Sequence, residues 1–352
     1  VGVTINSGSA DITSLKSTGT ANLTTAGDLT VGTGDFAKVT MTSNNGSVGV
    51  SNLISSNNVV INSNNGNTTL GTLNVDGTFD VVTKDLEITT GMDVGGKVTI
   101  TATGDINISP DVTFSDLEIK ANELTYKNLT VNGTADITVI NDFTAKDVTI
   151  NNLKNLSANN ITIDNLTVNN DANIVAKGLF KTETVTVSGN LAKLETNNAE
   201  IGSLTVTKDA NIKATEKFTA DTIAVTGNLA KLETNNAEIG SLTVGNDANI
   251  KATGKITADT IAVTGNLSKL ETKDADIKNL TVDNDATIVS NGDVVLGKTT
   301  IGNNFNASAK NLTFNDVTSV TGQTSLKATS KLTFVPNDVT FNNKLIIEKV
   351  QV

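Results

Sequence analysis

Four aspartates, Asp171, Asp209, Asp247 and Asp285, stand 38 residues apart, each opening a D-A-N or D-A-T triplet. Five glutamates, Glu195, Glu200, Glu233, Glu238 and Glu271, recur in step with them. Carboxylates are the reactive groups this chain has in number. An aspartate row suits Ca²⁺, which takes carboxylate and carbonyl oxygens. A pair of carboxylates suits glycoside cleavage, with one as acid and the other as base or nucleophile. Histidine and cysteine are both absent. A Ser-His-Asp triad, a histidine metal site, disulfides and thiolate metal sites are therefore excluded.

Catalysis needs one unique constellation, and a charge that recurs with a repeat reads instead as a ladder on a solvated face. Lys193/Glu195 and Lys231/Glu233 alternate in sign, which agrees with a solubilising surface. A polysaccharide-modifying cleft, if present, belongs outside 189–282, around Asp111, Asp116, Glu118 and Glu123. Each repeated Asp has a local reading too, as a turn residue accepting from nearby backbone amides. The G-G-x-G-x-D signature of calcium β-rolls is missing, and the calcium reading stays open beside the turn reading. No catalytic, cofactor-binding or metal residue is assigned.

Other small motifs have structural readings. Gly189, Gly227 and Gly265 precede Asn190, Asn228 and Asn266. The pair predicts a corner with positive φ followed by a stacking Asn. Phosphate-loop patterns are missing. Sequons N-x-[ST] begin at Asn22, Asn128, Asn155, Asn160, Asn165, Asn266, Asn279 and Asn311. Ice-binding T-x-T ranks would have to recur on one face in every coil. Thr184–Thr186 is set against Ile223–Val225, which rejects them.

The elements that carry these residues follow from a repeat. Gly189–Val206 reads GNLAKLETNNAEIGSLTV, and Gly227–Val244 reads the same, letter for letter. A looser copy, GNLSKLETKDADIKNLTV, runs from Gly265 to Val282, again 38 residues on. In a faint earlier copy Leu153 aligns with Leu191. The period halves: the apolar-x-apolar triplets Leu204/Val206, Ile223/Val225, Leu242/Val244, Ile261/Val263 and Leu280/Val282 are 19 residues apart. Similar steps link Val98/Ile100 to Leu117/Ile119, Leu129/Val131 to Val148/Ile150, and Leu312/Phe314 to Leu332/Phe334.

Alternation at period two is a half-buried strand pattern, not a helical stripe. The runs are short and rich in Val, Ile and Thr, with Gly, Asn, Asp and Ser between them. Three short strands and three tight corners fit one coil of a parallel β-helix, whereas a propeller blade needs about twice the length. The fold expected is all-β, a single-stranded right-handed parallel β-helix (β-solenoid) of about 19–20 residues per coil. It runs as one continuous solenoid over 1–352, with four double-coil repeats at 151–188, 189–226, 227–264 and 265–302.

Composition agrees. Asn and Thr together are roughly three residues in ten, aromatics are 3%, and there are two prolines, which cannot donate to an interior ladder. The formal charge of −11 argues against nucleic acid and anionic membranes as partners. No run of 18 apolar residues spans a bilayer as a helix. The chain opens without Met and in mid-pattern, and reads as a mature form or an excised fragment. Val1–Val3 and Leu345–Val352 (LIIEKVQV) read as strands with no polar cap.

In Asn/Thr/Gly-rich rhythm the chain resembles the filamentous-haemagglutinin-like exoproteins of bacterial two-partner secretion. Val98–Ser109 (VTITATGDINIS) and Leu326–Phe334 (LKATSKLTF) are similar in style to the high-molecular-weight adhesins of that group. Large autotransporter passengers share the rhythm. The resemblance implies secretion across an outer membrane through a transporter and a β-helix shaft at the cell surface. It also implies adhesion to a glycan or protein on a host or neighbouring cell, and it allows hexose on the sequons. The family's amino-terminal secretion domain is not found here. The expected function is thus a non-enzymatic adhesin segment. The alternatives are a filament or surface-layer subunit associating end to end, and a polysaccharide-modifying β-helix.

Overall fold

Leu191–Val206 shows how one coil is built. Leu191, Leu194, Thr196, Ala199, Ile201, Leu204 and Val206 are buried, and the residues between them face outward. Alternation is broken at outward doublets such as Asn197-Asn198 and Gly202-Ser203. A doublet turns the chain without ending its extended backbone, because the side-chain period of two is merely reset. Three inward groups therefore line three walls: Leu191/Leu194/Thr196, Ala199/Ile201 and Leu204/Val206. The third corner, Thr207–Asp209, is a turn that does interrupt the strand. Its flanking amides bond to neighbouring coils, Thr207 N to Val187 O at 2.9 Å and Ala210 N to Asn228 O at 2.9 Å.

The computed structural model describes residues 1–335 and 338–348. The second proline, Pro336, and the last four residues of the strand expected at Leu345–Val352 lie outside the described residues; Leu345–Glu348 is a strand. The described residues form 31 strands and no helix. Each partner in the parallel ladders lies about 19 residues along the chain, as in Leu204↔Ile223, Ile223↔Leu242 and Leu242↔Ile261. The fold is the all-β parallel solenoid expected from the triplets. The triplet steps Val98/Ile100 to Leu117/Ile119, Leu129/Val131 to Val148/Ile150, and Leu312/Phe314 to Leu332/Phe334 are ladder partners.

One detail differs. Three separate short strands per coil were expected, yet strands run as long as Asp142–Ala158. Two of the three corners are doublets that stay in the ladder, so wall strands fuse into one element.

Two compact units are present. One comprises Val1–Asn170 with Ile174–Ala176, and the other Asp171–Asn173 with Lys177–Val352. In the first, an interior column passes through Val39, Val59, Phe79, Val98, Leu117 and Ala135, one residue per coil. In the second, a column passes through Leu191, Ala210, Leu229, Ala248, Leu267 and Ala286. The eight residues expected inside, Leu204, Val206, Ile223, Val225, Leu242, Val244, Ile261 and Val263, are at most 2% exposed. Aliphatic side chains make up most of this thin core, joined by phenylalanines, by Met41 and Met92, and by buried Ser and Thr such as Ser63 and Thr196. Tyr126 is buried with its hydroxyl unpartnered.

The corner glycines correct a sequence reading. Among the described residues none has positive φ. A Cβ on Gly227 would meet Asp209 Oδ1 at 2.6 Å, and one on Gly265 would meet Asp247 Oδ1 at 2.5 Å. Glycine is required there because the preceding coil's carboxylate passes too close, not because the backbone is left-handed.

Candidate functional site

The repeated aspartates lie at the turn corner and are knitted into a ladder with the asparagines one coil away. Asp171 Oδ1 accepts from Asn190 N at 2.7 Å and from Asn190 Nδ2 at 3.0 Å. Asp209 Oδ1 accepts from Asn228 N at 2.7 Å, and Asp247 Oδ1 from Asn266 N at 2.7 Å. Asp285 Oδ1 accepts from Asn304 N at 2.9 Å. The asparagine oxygens pass the chain on: Asp247 N donates to Asn228 Oδ1 at 3.2 Å, and Asp285 N to Asn266 Oδ1 at 3.2 Å. Asp and Asn thus alternate coil by coil, with a strict donor and acceptor order. Bonds from the Asn190 backbone amide hold the Asp171 carboxyl below its usual range.

This geometry bears on calcium. Successive aspartates are two coils apart, about 9.6 Å at the parallel-strand spacing, too far for two carboxylates to share one ion. Each Oδ1 already serves the backbone of the next coil. Among the described residues no group of three or more acidic side chains is placed to hold a metal.

The repeated glutamates fall on two outer columns. On the first wall Glu195, Lys213, Glu233, Lys251 and Glu271 follow one another, one per coil. Beside them Lys193, Lys231 and Lys269 flank every second coil. Glu195 pairs with Lys193 at 2.6 Å and Lys213 at 3.5 Å. Glu271 pairs with Lys269 at 2.7 Å and Lys251 at 3.7 Å, and Glu233 pairs with Lys231. Lysine ammonium groups bonded to Glu195, Glu233 and Glu271 lower all three carboxyls below the usual range. Glu200 and Glu238 sit on the second wall, paired with Lys181 at 3.0 Å and Lys217 at 2.8 Å. The chain-direction alternation Lys193/Glu195 was legible. The column partners Lys213 and Lys251 were not, although a step of 18 residues from Glu195 and from Glu233 finds them.

Of the four non-repeating carboxylates, the structure brings two together. A surface groove of about 300 Å³ is lined by Asp116, Glu118, Asp136, Lys97, Lys154, Thr134 and Leu117. Glu118 Oε2 pairs with Lys97 Nζ at 2.7 Å and Asp136 Oδ2 with Lys154 Nζ at 2.8 Å. Asp116 Oδ1 accepts from Thr134 N at 2.7 Å. Asp136 was missed in the sequence, although it is the ladder partner of Glu118 in the next coil. Asp111 and Glu123 are outside this groove. Asp111 contacts Lys127 Nζ at 3.3 Å and Asn128 Nδ2 at 3.0 Å.

A glycosidic general acid needs a carboxyl raised toward neutral pH. Here the hydrogen bond from Lys97 lowers Glu118, and that from Lys154 lowers Asp136. The groove holds ion pairs poised to stay ionised.

The sequons follow from wall geometry: an outward Asn, an inward Leu or Ile, an outward Ser or Thr. Asn165 Nδ2 donates to Asp147 Oδ1 at 2.7 Å, and Asn311 Nδ2 to Asp293 Oδ1 at 2.7 Å. Asn160 and Asn266 each donate to an aspartate at 2.9 Å. Asn22 is exposed on its wall.

The T-x-T comparison was out of phase by one residue, which swaps the face. Ile223 and Val225 are inward; the outward residues of that wall segment are Thr222 and Ala224, stacked on Ser203 and Thr205. Ala224 and Ala262 interrupt the outer hydroxyl column in alternate coils.

Comparison with known proteins finds a family described as "Repeats of unknown function (DUF5649)", which matches residues 56–111 and 283–346. No curated protein and no solved structure matches the chain.

Proposed function

We propose that this chain is a segment of an extracellular bacterial adhesin, a coil-stacked shaft that displays or makes contact at a cell surface. The observation that carries this reading is the surface itself. Its charged side chains form columns that recur coil after coil, as in Glu195, Lys213, Glu233, Lys251 and Glu271. Such a lattice presents the same chemistry many times over, which suits multivalent contact and a spacer role. The resemblance to filamentous-haemagglutinin-like exoproteins supports export through an outer-membrane transporter and a place outside the cell. The contacted partner is a surface glycan or protein of a host or neighbouring cell. The role is non-enzymatic in this reading, because Glu118 and Asp136, which share a groove, are both lowered by bonded lysines rather than raised.

The test uses the purified chain coupled to fluorescent beads and added to epithelial cells and to other bacteria. Saturable binding, competed by free chain, supports the adhesin. Regular filaments in electron micrographs of the free chain, with no cell binding, replace it with the polymer reading. Cleavage of a polysaccharide panel, lost in Glu118→Gln, replaces it with the enzyme reading.

A further inference from the structure

The structural unit is one coil, yet the sequence repeats every 38 residues. The second unit shows why. Four independent features alternate between neighbouring coils, and each returns only after two.

Interior volume is the first. On the second wall the column Ala199, Phe218, Ala237, Ile256, Ala275 alternates small and large, while its neighbour Ile201, Ala220, Ile239, Ala258, Ile277 alternates in the opposite phase. Each of these coils therefore carries one large and one small side chain there, and Phe218, Ile239 and Ile256 each nest between two alanines. The backbone is the second. Coils beginning at Leu191, Leu229 and Leu267 hold an extra residue before Leu194, Leu232 and Leu270, so that register shifts against both neighbours at Leu229 and Leu267 and against the following coil at Leu191. The corner is the third, with Asp facing Asn along 209, 228, 247 and 266. Outer charge is the fourth, with Glu facing Lys along 195, 213, 233 and 251.

We infer that the double coil, not the coil, is the unit in which this solenoid changes length, and that residues 208–245 are a removable cassette. Excising them joins Thr207 to Asn246. Leu191 then stacks on Ala248, Leu194 on Ile250, Ala199 on Ile256, Glu195 beside Lys251 and Asn190 beside Asp247. Each of these is a pairing the chain already makes one repeat later, as in Leu229↔Ala248 and Ala237↔Ile256. Excising the 19 residues 208–226 instead stacks like on like. Ala199 meets Ala237 over a void, Leu191 meets Leu229, and Glu195 meets Glu233 at about the 4.8 Å coil spacing. Length is thus quantised in steps of about 9.6 Å, and a one-coil slip is opposed by packing, backbone, corner and charge together. The inference is independent of what the chain contacts.

The test compares the full chain with Δ208–245, Δ208–226 and a variant carrying 208–245 twice. Far-UV circular dichroism and thermal unfolding are read for each. The expected result is a strand spectrum and a midpoint within about 3 °C of the parent for Δ208–245 and for the duplication. For Δ208–226 the midpoint falls by roughly 10 °C or more, or the chain does not fold. A Δ208–226 chain as stable as Δ208–245 overturns the inference. So does a Δ208–245 chain that fails to fold.

Discussion

Phe218→Ala is the sharpest probe of the alternating core. Phe218 is fully buried, and its ladder neighbours are Ala199 below and Ala237 above. The adjacent inward residue in its own coil is Ala220. Truncating Phe218 therefore leaves a hole whose nearest neighbours on its own wall are three methyl groups, none long enough to move in. Phe-to-Ala changes in cores cost about 3–5 kcal/mol, and the cost rises with the cavity that cannot collapse. The upper part of that range, about 4–5 kcal/mol, is expected here. Phe218→Ile is the control. Ile256 occupies the same column two coils on, between Ala237 and Ala275, so the wall already accommodates that side chain. Its cost is about 1 kcal/mol. Urea unfolding followed by circular dichroism measures both. Amide exchange across residues 210–225 locates the loss, because a solenoid's stability is a sum of coil–coil terms. If Phe218→Ala loses less than about 1 kcal/mol, or Phe218→Ile loses as much as Phe218→Ala, the volume-alternation argument fails; both thresholds rest on the cavity term.

Val244→Asp buries an unpaired charge in a position with no exposure and is expected to unfold its neighbourhood, read as lost exchange protection in residues 229–263. Tyr126→Phe removes a buried hydroxyl that has no partner, and a gain of about 1 kcal/mol in urea unfolding is expected; a loss would show a partner for that oxygen. Asp209→Ala strips the acceptor for Asn228 N and Nδ2 and is expected to lower stability by about 1–2 kcal/mol, while EDTA leaves the parent's unfolding curve unchanged; a calcium-dependent midpoint would reverse the corner reading. Glu118, Asp136, Glu195, Glu233 and Glu271 all have folded-state pKa values lowered by bonded lysines. Their contribution is present above the unfolded carboxylate range, near pH 4, and is lost as pH falls through the lower folded values. The midpoint should therefore drop between pH 5 and pH 3, and less so in 1 M salt because the pairs are solvent-exposed; in Lys97→Met the Glu118 carboxyl should titrate at higher pH by NMR.

The solenoid was legible in the sequence because alternation is a local property of extended chain. Leu204 and Val206 face the same way whatever they pack against, and a 19-residue recurrence of such triplets leaves few ways to close a coil. The sequence by itself also placed Asp or Asn at the turn corners from Asp171 to Asp285, and it showed that no His or Cys chemistry is available. Tertiary structure decided what those residues do. Asp209 and Asn228 are far apart in the chain and become donor and acceptor only when one coil lies on the next. Glu195 was read with Lys193, its neighbour in sequence, whereas Lys213 reaches it only by going once around. Asp136 entered the groove of Asp116 and Glu118 in the same way. Gly227 looked like a backbone requirement and is a spatial one, set by a carboxylate in the preceding coil. The lengths of the strands escaped too, since an outward doublet such as Asn197-Asn198 turns the wall while keeping its ladder. What is written along the chain is the direction each side chain faces; what it faces is settled only by the stacking of coils, through contacts between residues about 19 positions apart.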